Sequence, residues 1–133
     1  MPVVSVEAEG SVFRTDYAAV DERVRRLATA LESELGVPYG GAVGTFAWNN
    51  RRHHELYWAT ANSGRICHTL NIRLFPDQLT YIVNHADDEV IFVDRSLLGL
   101  LLPLLPTFER LQHLVLMDDG RGDVPEPGDP ALC

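Results

Sequence analysis

Residues 46–94, FAWNNRRHHELYWATANSGRICHTLNIRLFPDQLTYIVNHADDEVIFVD, alternate strand-like and helix-like segments, and this constrains the fold more than any other feature of the chain. A short apolar run ends at Trp48 and is interrupted by Asn49-Asn50. Residues 51–63 then carry Leu56, Tyr57, Ala59 and Ala61 at helix-compatible spacing, and Gly64 suits the left-handed position that closes a helix. Residues 66–70 predict a short strand. Pro76 stands where a helix favours its first residue and Asp77 complements the positive N-terminal end. Leu79, Ile82, Val83 and Ala86 share one apolar face. Residues 89–94 are apolar at almost every position, as in a strand covered on both faces. Such alternation predicts an α/β fold with a mostly parallel sheet and right-handed crossovers.

The flanks extend this scheme. Val4, Val6 and Ala8 alternate with Ser5, Glu7 and Glu9 before the turn Glu9-Gly10-Ser11, which predicts a β-hairpin over residues 3–14. Asp16 is a good N-cap for a helix reaching about residue 35, in which Tyr17, Val20, Val24, Leu27 and Leu31 form the apolar stripe. Gly36 ends it, and residues 37–41 turn the chain into a strand over 43–48. Beyond Asp94, residues 95–105 predict a leucine-rich helix that Pro103 ends or kinks, and 113–117 a last strand. One domain is therefore expected over residues 1–117. The tail, 118–133, has Asp118, Asp119, Asp123, Glu126 and Asp129 against Arg121 and no apolar period, and is expected to be mobile.

Taken residue by residue, this pattern assigns no catalytic, cofactor-binding or metal site. The net charge of −8 argues against nucleic acid or an anionic membrane surface as partner. Gly40, Gly41 and Gly44 precede a strand, whereas a phosphate cradle needs its glycines between a strand and a helix. His53 and His54 are helix neighbours about 100° apart and cannot share a ligand face. Cys67 and His68 lie on opposite sides of a strand, so Cys67 lacks an activating neighbour and is expected to be a buried structural thiol. Asp87-Asp88 reads as a solvated turn, Trp48, Tyr57 and Trp58 as core, and Arg121-Gly122-Asp123 as a coincidental tripeptide in a loop. Two cysteines, Cys67 and Cys133, without framework spacing or a signal peptide point to reduced thiols and a cytoplasmic protein. The longest apolar run, 97–105, is interrupted by Gly99 and Pro103 and falls short of the ~20 residues a bilayer span requires, so no transmembrane segment is expected.

Several runs nevertheless carry a family resemblance: Trp48-Asn49, Arg52-His53-His54-Glu55-Leu56-Tyr57, Gly64, His68-Thr69-Leu70-Asn71, Arg73-Leu74, Pro76, Tyr81-Ile82, Asn84-His85-Ala86 and Val93-Asp94. Together with Tyr17-Ala18 and Arg25-Arg26-Leu27-Ala28, they resemble the N-terminal part of the AMP-forming acyl-CoA synthetases, and within them the medium- and long-chain fatty-acyl members. Ile72 stands where the family usually has proline, Arg65 where it has a small residue and Ser63 where it has a larger one.

The resemblance implies ATP-dependent formation of an acyl-adenylate and its transfer to coenzyme A, with ATP, Mg²⁺ and coenzyme A as the cofactors of the full-length family. The family's phosphate-binding loop and C-terminal domain have no counterpart in these 133 residues, and all eleven basic residues are arginines, with no lysine. It therefore implies a truncated fragment that holds no cofactor and is inactive alone. The expected partners are the remainder of a synthetase or further copies of the chain in a homo-oligomer. The alternative is a non-catalytic interaction module docking on a synthetase.

Overall fold

The computed structural model describes residues 1–121. Strands β1 (Pro2–Val6) and β2 (Val12–Asp16) pair antiparallel as the predicted hairpin, turned at Gly10, whose φ of 92° favours glycine. Helix α1 (Tyr17–Ser33) begins at Asp16, whose Oδ1 accepts the N–H of Ala19 at 2.9 Å. It ends slightly before residue 35, and the chain reverses at Gly36 with φ 63°.

Next come β3 (Ala42–Phe46), α2 (Arg51–Asn62), β4 (Ile66–Thr69), α3 (Pro76–His85) and β5 (Val90–Asp94), matching the expected alternation. The strand expected over 43–48 stops at Phe46 because residues 47–50 turn into α2. The leucine-rich segment is not one helix. Arg95–Leu97 and Leu102–Thr107 form 3-10 turns around one α-helical turn, Leu98–Leu101 (α4). Pro103 and Pro106 supply no N–H, so a longer α-helical ladder cannot form there. Strand β6 (His113–Met117) completes a parallel sheet of order β4-β3-β5-β6.

Both faces of the sheet are covered. On one, Val20, Val24 and Leu31 of α1 and Leu56 and Ala59 of α2 pack on Val43, Val90 and Phe92. On the other, Leu79 and Val83 of α3 and Leu97, Leu98, Leu101, Leu104 and Phe108 pack on Phe46, Ile91 and Val93. Every residue of β5 is buried, which explains its unbroken apolar sequence. Burying one leucine such as Leu31 or Leu56 contributes roughly 2 kcal/mol.

The hairpin is clamped to α2 by charge as well as apolar contact. Glu7 is buried and binds Arg51 and Arg52, while Arg51 lies over the Phe13 ring at 4.2 Å. Arg23 of α1 bonds Glu55 of α2 at 2.8 Å.

Packed structure continues past Met117, because Asp119 is buried and bonded to Ser96. The rest of the tail, residues 122–133, lies outside the described residues, and so do its reading as mobile, Cys133 and two of the three residues of the 121–123 tripeptide. Among the described residues no helix is long and apolar enough to cross a membrane.

Candidate functional site

From β3 the chain steps to β4 on one side and then crosses back to β5 on the other, so the strand order switches direction between β3 and β5. In open parallel sheets, ligands bind outside the carboxyl ends of the strands at such a point. Here the ends of β3 and β5 present Trp48, Asn50 and Asp94.

These residues hold one another. Asp94 is fully buried, and its Oδ2 accepts the N–H of Trp48 at 2.7 Å and Asn50 Nδ2 at 3.1 Å. Its Oδ1 is buried without a partner among the described residues. Burial pushes its pKa up to about 6, helped by the nearby Asp119 charge and opposed by the Trp48 and Asn50 hydrogen bonds. Asn50 faces both ways: its Oδ1 also accepts the N–H groups of Arg52 and His53 at 3.1 Å, capping α2.

Two further contacts close the cluster. The Trp48 indole N–H donates to Ser96 Oγ at 2.9 Å, and Ser96 N–H and Oγ donate to Asp119 beyond the end of β6. His53 Nδ1 lies 3.2 Å from the Trp48 carbonyl oxygen, which can only accept, so Nδ1 carries the proton. Its Nε2 then accepts from Thr45 Oγ1 at 2.8 Å, and burial holds the imidazole below the usual histidine range.

The structure corrects several sequence readings. His53 is buried and holds the β3 end to α2 through Thr45 and the Trp48 carbonyl. Trp48, Tyr57 and Trp58 are not core: they are 43%, 47% and 52% exposed, because their positions on α2 and at the β3 end face away from the sheet. Trp48 and Tyr57 border an open cleft of about 470 Å³ beside Asn71 and Arg73, and Tyr57 and Trp58 a groove of about 680 Å³ between β1 and α2.

Asp88 is not a solvated turn residue either. It is buried, and its Oδ2 lies 2.6 Å from His68 Nδ1. Gly44 permits this approach: a Cβ there would come within 2.9 Å of Ile91 and 3.3 Å of Asp88. Cys67 and His68 do lie on opposite faces; Cys67 is half-buried rather than buried, and that burial still raises the thiol pKa. Arg65 anchors a turn by donating twice to the Val37 carbonyl, at 3.0 and 2.7 Å.

Residue-level reading missed Asn50, Asp94, Ser96 and Asp119. Asp94 had a legible signal, as a polar residue ending an otherwise apolar parallel strand.

Residues 3–129 match the family of AMP-binding enzymes. The chain belongs to that family. This AMP-binding chain is 45% identical over 115 residues to a 3-methylmercaptopropionyl-CoA ligase of Ruegeria lacuscaerulensis, covering 86% of this chain and 21% of the relative. It is 41% identical to a medium-chain-fatty-acid–CoA ligase of Ectopseudomonas oleovorans, over 86% of this chain and 21% of that one. With a long-chain-fatty-acid–CoA ligase of Thermus thermophilus it shares 43% identity over 88% of this chain and 21% of that one. It thus corresponds to the N-terminal part of an AMP-forming acyl-CoA synthetase and spans about a fifth of the length of these relatives. The fold is shared with an anthranilate CoA ligase in complex with anthranoyl-AMP, at a TM-score of 0.75 and 22% identity, covering 79% of this chain and 20% of that chain.

The glycine turn at residues 40–41 does not fit a phosphate cradle. Gly40 N–H donates to the Gly64 carbonyl at 2.7 Å and Gly41 N–H to the Pro38 carbonyl at 2.9 Å, so this glycine turn offers neither amide to an anion. Among the described residues no three His, Cys, Asp or Glu side chains converge to hold a metal ion.

Proposed function

We propose that this chain is the N-terminal scaffold of a fatty-acyl-CoA ligase that forms an acyl-adenylate from ATP and then an acyl-CoA. Medium- or long-chain acids are its substrates, and ATP, Mg²⁺ and coenzyme A bind largely to parts of the ligase that this chain does not span. Identity above 40% to three CoA ligases across most of the chain supports the reaction class.

The scaffold role rests on one observation. The polar groups at the switch point, Asp94, Asn50, His53, Ser96 and Asp119, bond to each other, to Thr45 and to backbone, and among these side chains only Asp94 Oδ1, itself buried, is left without a partner among the described residues. Charge development at the α-phosphate requires preorganised donors and cations, which a phosphate loop and lysines provide in such chemistry. This chain has no lysine.

The test is fatty acid- and CoA-dependent AMP release. The purified chain should release none above buffer. The chain co-expressed with the remainder of a related ligase should release AMP only when the acid is present. Turnover by the chain alone would refute the scaffold role.

A second reading, a non-catalytic module that docks on a synthetase, draws on the exposed aromatic face of Tyr57 and Trp58. Association with an intact synthetase, without complementation of a shortened one, would favour it.

A further inference from the structure

The groove between β1 and α2 is apolar along its walls and basic at one end. Val4 and Val6 of β1 and Tyr57 and Trp58 of α2 line it, and all four are exposed. Exposed apolar groups gathered at one concavity mark a binding surface. No Asp or Glu lines this groove among the described residues, in a chain with 19 acidic residues against 11 basic ones. Its one permanent charge is Arg51, in the first turn of α2, where the helix dipole also favours an anion. Arg51 Nε is buried without a hydrogen-bond partner, although Glu7 lies 3.3 Å away. His54 follows three residues later and so shares a face of α2 with Arg51.

His54 also controls one aromatic wall. The Trp58 indole Nε1 lies 2.7 Å from His54 Nε2. An indole N–H only donates, so Nε2 accepts and the neutral ring carries its proton on Nδ1. A second proton removes that acceptor, releases Trp58 and turns Nε2 into a charged donor.

We propose, independently of the reaction above, that this groove binds a free carboxylate with an extended alkyl chain, and that His54 and Trp58 make the binding proton-dependent. The chain lies along Val4 and Val6 against the Tyr57 and Trp58 rings, and the carboxylate meets Arg51 and His54. The charge of the lining selects an anion, and its length selects a chain. Residues 3–6 span about 10 Å at a strand's rise of about 3.3 Å per residue, which suits an extended chain better than a compact ring system. The volume of about 680 Å³ falls within the range of about 300–1,000 Å³ usual for small-molecule sites. Little else titrates against the groove. Residues 3–6 of β1 and the turn Asn49-Asn50 bring it no titratable side chain, and α2 brings Arg51, His53 and Tyr57 besides His54. Arg51 is neutralised from behind by the buried Glu7, and His53 is buried between Thr45 and the Trp48 carbonyl. His54 is exposed and free to take up the proton.

Titrating decanoate and 1-decanol into the nitrogen-15-labelled 133-residue chain tests this, with amide and indole N–H signals as the readout. Decanoate should shift the amides of residues 3–6 and 54–58 and the Trp58 indole. It should bind at least about fivefold more tightly at about pH 6 than at about pH 8, although the ligand itself is ionised at both. 1-Decanol, which has no charge, should bind more weakly at about pH 6 and without that pH dependence. His54→Gln keeps an acceptor for the indole but does not titrate, so it should level decanoate affinity between the two pH values. Val4→Glu places an acid beside the ligand on an exposed position and should weaken decanoate about tenfold.

Absence of decanoate binding at both pH values, or shifts confined to residues outside the groove, would overturn the proposal. Equal affinity for decanoate and 1-decanol at about pH 6 would overturn the carboxylate assignment. An unchanged pH response in His54→Gln would overturn the role of the His54–Trp58 pair. Shifts of 3–6 and 54–58 that follow protein concentration without ligand would give the groove to a second copy of the chain instead.

Discussion

Asp94 Oδ2 accepts the backbone N–H of Trp48 at 2.7 Å, joining the ends of two neighbouring strands across 46 residues of chain. The bond fixes where β3 stops and how the chain enters α2, because Trp48 is then set to present its carbonyl to His53 and its indole to Ser96. A single carboxylate thus organises the switch point of the sheet.

That carboxylate is strained electrostatically. Its folded pKa is raised to about 6, mainly by burial, so its protonated form is favoured in the native state. Its contribution to stability is complete below the unfolded value of about 3.9 and is lost as pH rises through about 6. Asp94→Asn keeps an acceptor for Trp48 and removes the charge. Urea melts from pH 4.5 to 8 should show the wild type losing roughly 2 kcal/mol more than Asp94→Asn over that range. Equal pH profiles would show that the buried carboxylate is not the group titrating.

His68 and Asp88 form a second pH-sensitive contact. The hydrogen bond to Asp88 raises the His68 pKa, and burial raises that of Asp88. For a raised histidine, the stabilisation is present below its unfolded value, about 6.5, and is lost as pH rises through the higher folded value. Thermal melts of the wild type should therefore fall from pH 6 upward, and His68→Asn should flatten that fall. A variant that keeps the full slope would place the titration elsewhere.

Asn50 joins two functions in one side chain, the cap of α2 and a donor to Asp94. Asn50→Ala should cost about 2 kcal/mol, more than an ordinary cap loss of about 1 kcal/mol, because a donor to a buried carboxylate also goes. Asn50→Asp would keep the cap but place a second carboxylate beside Asp94. It should be tolerated below pH 5 and should destabilise above pH 7, as denaturant titrations at the two values would reveal.

Gly64 closes α2 with φ 69°, and a Cβ there would lie 2.0 Å from the Tyr39 ring. Tyr39 is 87% exposed, so its ring can swing aside, and the backbone term should dominate. Gly64→Ala should cost about 1 kcal/mol, and adding Tyr39→Ala should recover only a minor part of it. Full recovery in the double variant would show that the ring contact, rather than φ, was the cause.

Much of the fold was legible because its signals are local. Asp16 and Pro76 start helices, Gly36 and Gly64 end them, and the apolar run of β5 declares a strand covered on both sides. The breaks in 95–107 were less legible, since leucine content suggests a helix while Pro103 and Pro106 divide it into short turns. At the site the difficulty was long-range pairing. Asp88 and His68 are 20 residues apart, and Asp94 and Asn50 are 44 apart, so neither partnership is visible in local spacing. The exposure of Tyr57 and Trp58 was hidden for the opposite reason: their residue types suggest burial, and the direction of their helix positions decides otherwise.

The most direct test of the account is acyl-dependent AMP release, measured for the purified chain, for the remainder of a related ligase, and for the two co-expressed. The account predicts silence from each part and fatty acid- and CoA-dependent AMP release from the co-expressed pair. Release by the chain alone, or silence from a stable complex of the two, would contradict it.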